Sequence, residues 1–213
     1  FNHTIDSSNK SLITFENMEL TINDQKWEID KKNPTNKLPQ LVFSWNKSDY
    51  SFLDANFKSN DQFLAVNFLE NENSSEYSIN FVNLSLKNIT NSKNKIFFEG
   101  LVNGKIELIK KGDLYEGKSN LTLKDLSANS NNLGDATLKI DASKDLKSFV
   151  MDFGIEKNKN KILSLNGNFG IEKDFFPLDL QLNMYGFSIM PFSKIGDNVI
   201  TDFRGKFDSS VKI

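Results

Sequence analysis

The sequence predicts an all-β protein, on three observations. Apolar residues recur with period two over most of the chain, no window carries the helical period between a cap and a stop, and the breaks between tracts hold turn residues. Alternation at period two places successive side chains on opposite faces of a strand, so each such tract is a half-buried strand with one greasy and one wet face.

In chain order, "MELTIN", "KWEID", "LVFSW", "FLAVNF" and "YSINF" are short strand tracts, followed by "GKIELIK" with Ile106 and Leu108 and "NLTLKD" with Leu121 and Leu123. "ATLKID" aligns Ala136, Leu138 and Ile140. In "SFVMDFGIE", Phe149, Met151, Phe153 and Ile155 share a face, against Val150, Asp152, Gly154 and Glu156. "ILSLNGNFGIE" repeats the pattern with Leu163, Leu165, Gly167, Phe169 and Ile171, and "PLDLQLNMY" with Leu178, Leu180, Leu182 and Met184. About fourteen to sixteen strands of ordinary length account for the chain. The turns are "NDQ", "KKGD", "NSNN", "NKNK" and "GDN". Two segments break the rhythm. "KKNPTNKLPQ", with Pro34 and Pro39, reads as an irregular crossing; "FSIMPFSKIGDN", around Pro191, reads as a short helical turn that docks Phe187, Ile189, Met190 and Phe192 on the greasy face.

Composition narrows the function. The 213 residues are enough for one large domain or a slice of something longer. A hydrophobic share of 38% beside 25% charged residues suits sheets with unlike faces. Twenty-six basic and 28 acidic residues give a net charge of -2, which supplies no basic field for nucleic acid or an anionic membrane surface. The absence of cysteine excludes disulfides, thiolate metal sites and thiol nucleophiles. No run approaches the roughly 20 apolar residues of a membrane-spanning helix. A start at Phe1 without methionine or signal peptide reads as a processed or excised piece. Asn- and Lys-rich usage fits an A/T-rich genome, and the Asn-X-Ser/Thr triplets, such as those at Asn73 and Asn120, follow largely from it.

The chemistry of an enzyme is missing from the pattern. The sole histidine, His3, sits at the chain end; there is no phosphate-cradling glycine loop, Ser-centred elbow or metal-binding His pair. Carboxylates such as Asp152, Glu156 and Asp179 fall singly on polar strand positions, and "DASKD", with Asp141 and Asp145, lacks the spacing of a calcium loop. The expectation is a non-enzyme without cofactor or metal. Phenylalanine, with 19 residues against four tyrosines and two tryptophans, offers area without a polar handle. Phe-rich strands line something dry: either the filled core of a sandwich or barrel, or an open lined groove, which alternation alone does not distinguish.

The closing segment bears on that choice. A Leu-rich strand, "FPLDLQLNMYGF", is followed by the apolar insert "SIMPFSKI" and by the Gly-led return "GDNVITDFRGKFDSSVKI". This arrangement resembles the repeating unit of the TamB-type AsmA-like family, at Phe176, Pro177, Leu178, Leu180 and Leu182 in the entering strand and Gly196, Phe203, Gly205, Phe207, Val211 and Ile213 in the return. The Asn-Gly in "LSLNGNFGI" resembles the same family's strands, and the likeness is clearest over residues 136–213. The resemblance implies an elongated curved β-sheet, a β-taco or open groove with a hydrophobic interior and polar exterior, spanning residues 1–213 as one slice of a longer periplasmic structure. It further implies an inner-membrane anchor helix outside the fragment, an outer-membrane partner barrel of the TamA (Omp85) type, and phospholipid acyl chains as cargo. Phospholipid transport and support of outer-membrane protein assembly would be its roles.

Combining the alternation with the resemblance, the residues expected to line the groove are Leu138, Ile140, Phe149, Met151, Phe153, Leu163, Leu165, Phe169, Leu178, Leu180, Leu182, Phe203 and Phe207. Fifteen strands stacked along one axis would make a trough of roughly 70 Å at about 4.8 Å per strand. A charge at Phe153 or Leu180 is expected to block lipid without unfolding the protein. The rival reading is a surface β-sandwich that binds glycan or protein through Trp27, Trp45 and Tyr50; it requires two packed sheets, in units of about a hundred residues. A filled β-solenoid would need a short fixed repeat, and none is present.

Overall fold

A computed structural model describes residues 1–22, 24–30, 39–44, 51–88, 96–171, 177–195 and 204–213. Its strands are β1 (Asn2–Ile5), β2 (Lys10–Thr14), β3 (Glu19–Ile22), β4 (Gln25–Ile29), β5 (Gln40–Ser44), β6 (Ser51–Ser59), β7 (Gln62–Glu70) and β8 (Ser74–Ser85). They continue as β9 (Phe98–Lys111), β10 (Leu114–Ala128), β11 (Asn131–Ala142), β12 (Ser148–Lys157), β13 (Asn160–Gly170), β14 (Leu178–Ser188) and β15 (Lys206–Lys212). All join one open antiparallel sheet of 15 strands. From β5 to β15 each strand pairs with the next in sequence, as tight turns between alternating tracts require. Asn129 and Ser130, and Asn158 and Lys159, turn their hairpins with both residues at positive φ, the geometry that matches the right-handed twist of the flanking strands. The sandwich expectation is therefore not met: the described strands form a single sheet.

Stacking along the sheet axis is shorter than the sequence suggests. β3 and β4 lie off the main path, and β4 borrows the end of β6 through Glu28↔Lys58 and Ile29↔Phe57 while β5 pairs with its beginning. The thirteen strands on the path span about 58 Å at ~4.8 Å each.

Register turns local alternation into continuous rows. One row runs Ile29, Phe57, Leu64, Phe81, Gly104, Leu121, Leu138, Phe153, Leu165, Leu182 and Val211, each the cross-strand partner of the next. A second runs Val66, Ile79, Ile106, Ser119, Ile140, Met151, Gly167 and Leu180 on the same face. Cross-strand pairs of this kind are the unit of sheet stabilisation, so each row is a ladder of apolar contacts. The opposite face carries the complementary row Asn80, Lys105, Asn120, Lys139, Asp152, Asn166, Gln181 and Lys212. That face is not uniformly polar, since Phe63, Leu69 and Val150 are exposed on it.

Two buried clusters close one margin of the apolar face. Trp27, Ile29, Ala55, Phe57, Leu84 and Val102 form the first, with Phe15, Met18 and Leu20 packed on it. The β3–β4 hairpin is tied down there by Gln25 Nε2, which donates to Ser59 Oγ (2.8 Å), and by that hydroxyl, which donates to the Lys26 carbonyl (2.5 Å). Leu126, Ala128, Leu133, Ala136, Ile155 and Phe187 form the second, covered by Ile96, Phe98 and Phe192. The insert expected to dock on the greasy face does so as a 3-10 turn over Met190–Ile195: Pro191 is fully buried, and the rings of Phe187 and Phe192 lie 6.1 Å apart. Asn129 Nδ2 donates to the Pro191 carbonyl (2.8 Å) and fixes the turn across the sheet. Met190 departs from the expectation and points to solvent.

Two glycines interrupt the apolar rows for a steric reason. Gly104 and Gly167 sit at φ +134° and +144°, conformations that L side chains rarely adopt, and a Cβ there would overlap the carbonyl oxygens of Asn120 and Asp179. Glycine inside a strand marks such a close backbone approach. Gly167→Ala is expected to destabilise the protein by about 1–3 kcal/mol from backbone strain alone. Urea denaturation measures this, and an unchanged midpoint would show that the strand relaxes freely at that point.

Candidate functional site

The other margin of the apolar face is uncovered. There the row Leu53, Phe68, Tyr77, Leu108 and Gly117 continues, across Ala142, into Phe149, Phe169 and Leu178. Phe68 stacks on Tyr77 at 4.9 Å and Phe149 on Phe169 at 5.1 Å, aromatic pairs that add to the stability of this margin. Ile79, Ile106, Tyr77 and Leu178 remain 36%, 38%, 43% and 53% exposed. A folded chain leaves scattered apolar side chains in water routinely, whereas contiguous rows of them mark a surface that meets another apolar body.

Midway along this margin lies an open depression of about 470 Å³. Ile106, Leu108, Leu121, Leu138, Ile140 and Phe149 line it, with Gly117 and Ala142 between them. The missing side chain at Gly117 creates the space: a Cβ there would meet Ala142 Cβ at 3.0 Å. Leu146, held at φ 58° in the turn between β11 and β12, leans into the depression from its rim.

The structure brings twelve of the thirteen expected lining residues onto this one face. Leu138, Phe153, Leu165 and Leu182 belong to one row; Ile140, Met151 and Leu180 to the next; Phe149, Phe169 and Leu178 to the marginal row. Leu163 pairs with Ile155 and Met184 at the covered margin, and Phe207 pairs with Phe187 and is exposed. Phe203 lies outside the described residues, as do Trp45, Tyr50, Phe176 and Gly196. Leu180 is buried, at 8% exposure, and its backbone exchanges two hydrogen bonds with Ile213, which extends the β14–β15 ladder beside it. Trp27 is 2% exposed inside the core and presents no platform to a sugar.

Sequence reasoning missed the upstream half of the face. Leu64, Val66 and Phe68 in "FLAVNF" and Tyr77, Ile79 and Phe81 in "YSINF" alternate as cleanly as the later tracts. Gly104, Gly117 and Ser119 stand on the apolar face in the two strands between and hide its continuity from a reading of spacing alone.

The polar face is built from screened surface pairs. Lys118 bonds Glu116 at 2.7 Å and holds that carboxyl below its ordinary range; Lys105 pairs with Glu107 at 2.6 Å and Lys212 with Asp179 at 3.0 Å. Asp145 accepts Ser143 Oγ (2.5 Å) and the Lys147 amide (3.1 Å), which lowers its pKa and occupies it within its own turn. Among the described residues no three His, Asp or Glu side chains assemble as a metal-binding group, and no helix is long and apolar enough to cross a membrane. The molecule so described is an open antiparallel sheet with one apolar face. Comparison with known proteins finds no family model, no curated sequence and no solved structure that matches the chain.

Proposed function

We propose that the apolar face is a lipid-accommodating groove, and that the chain is a periplasmic segment of a bridge between inner and outer membranes along which phospholipid acyl chains move. One observation carries the reading: apolar rows continue from β6 to β15 through cross-strand pairs and stay uncovered along one margin. Ten strands cover about 43 Å at ~4.8 Å per strand. An acyl chain laid on the rows leaves water for Leu, Ile and Phe, a gain of roughly 0.8 kcal/mol per buried methylene. Because each row presents nearly the same surface as the last, a chain shifts by one strand at little net cost. Such a conduit needs uniform grease and no catalytic group.

The likeness of residues 136–213 to AsmA-like repeats supports the wider assignment: an anchor helix elsewhere in the protein, an Omp85-type barrel as partner, and a contribution to outer-membrane protein assembly. The burial of Trp27 and the single sheet speak against the glycan-binding sandwich.

The test is gentle purification followed by lipid extraction and mass spectrometry. The groove predicts co-purifying phospholipid with mixed acyl lengths. A lipid-free protein that also fails to take up phospholipid from vesicles would end the reading.

A further inference from the structure

The face turned away from the groove carries a depression of its own, of about 340 Å³, across β6 to β9. Register sets its side chains in two adjacent rows on that face: Phe52, Leu69, Glu76 and Ile109 in one, and Asp54, Asn67, Ser78 and Glu107 in the other. The hollow forms because Asn67 and Ser78, at its centre, are shorter than the side chains around them. Within the first row Glu76 is the one polar residue, and its cross-strand neighbours are Leu69 and Ile109. Leu69 stays 39% exposed on a face that is otherwise largely polar. Glu107 is held by Lys105 at 2.6 Å, and Asp54 accepts Asn56 Nδ2 at 3.2 Å. Glu76, Asn67 and Ser78 make no side-chain hydrogen bond or ion pair among the described residues. Three carboxylates against the ammonium of Lys105 leave the depression negative. One row outward, Lys111 brings positive charge and acts on Glu116, itself bonded by Lys118 at 2.7 Å.

We propose that this depression binds a small organic cation: an apolar body of one or two rings lies on Phe52, Leu69 and Ile109, and its ammonium group meets Glu76 and the side-chain oxygens of Asn67 and Ser78. A concave site needs apolar area for affinity and a few placed polar groups for orientation, and both are present here in neighbouring rows. The excess negative charge selects the sign of the ligand, attracting a cation and repelling an anion of the same shape. This site goes beyond the lipid groove and does not depend on it, since the two lie on opposite faces of the sheet.

Titration of the methyl-labelled full chain with 1-naphthylmethylammonium, followed by heteronuclear NMR, tests this. Saturable shifts are expected at the methyls of Leu69 and Ile109, which line the depression. Neutral 1-naphthylmethanol shifts the same methyls with an affinity roughly tenfold lower, about 1.4 kcal/mol, and 1-naphthoate leaves them in place. Glu76 is exposed, so Glu76→Gln keeps the fold; it lowers the affinity for the cation roughly fivefold, about 1 kcal/mol, and leaves that for the alcohol unchanged. No saturable shift at Leu69 and Ile109, equal affinities for cation and alcohol, or an affinity for the cation that survives Glu76→Gln overturns the site. Binding reported only by Leu138 and Ile140 would put the ligand in the groove and overturns it equally.

Discussion

Trp27→Ala is expected to destabilise the protein by about 3–5 kcal/mol, the range for deleting a large aromatic from a packed core. Trp27 is the largest fully buried side chain among the described residues and belongs to the cluster of Ile29, Phe57, Leu84 and Val102. Its removal loosens the β3–β4 hairpin, which pairs with the sheet through the end of β4. Trp27 Nε1 is buried with no hydrogen-bond partner among the described residues. Trp27→Phe removes that unsatisfied donor along with some volume, and the two effects offset, so a loss of no more than about 1 kcal/mol is expected. Urea midpoints of the two variants decide the matter: equal, large losses would mean that the indole nitrogen is bonded and structural.

Ile140→Asp with Phe149→Asp is expected to abolish lipid binding and leave the sheet folded. Both side chains line the open depression and neither is fully buried, so the carboxylates reach water in the empty protein. Once an acyl chain covers them they lose that water, at a cost of several kcal/mol, enough for a hundredfold or greater loss of affinity. Phe149 also gives up its stack on Phe169, worth about 1 kcal/mol of stability. A charge at Leu180 is a poorer probe than its spacing suggests. That residue is buried and paired through its backbone with Ile213 at the sheet edge, and Leu180→Asp is expected to unfold the edge rather than block the groove. Lipid content and circular dichroism together check the pair; a folded double variant that keeps its lipid would place binding elsewhere.

The contrast between Leu180 and Ile140 shows how far spacing reads into structure. Alternation assigns a side chain to a face, and the register keeps Leu138, Phe153, Leu165 and Leu182 together as the tracts imply. Burial within a face depends on neighbours that come from segments distant in sequence: Ile213 beside Leu180, and Trp27 of the β3–β4 hairpin clustered with Phe57. No periodicity encodes those contacts. The docking of "SIMPFSKI" was legible because Pro191 ends the strand and its apolar neighbours need cover, whereas the exposure of Met190 depends on the phase of a single 3-10 turn. The depression arises from an absent side chain at Gly117, and a glycine within a strand is silent about the neighbour it leaves uncovered.

The central claim is that one face of the sheet meets acyl chains and the other does not. A photo-crosslinking amino acid placed in turn at Thr137, Leu138, Lys139 and Ile140 of β11 tests it most directly, since these residues alternate between the faces. Irradiation in cells is predicted to give phospholipid adducts at 138 and 140 and none at 137 and 139. Adducts at all four positions, or at none, would contradict the account.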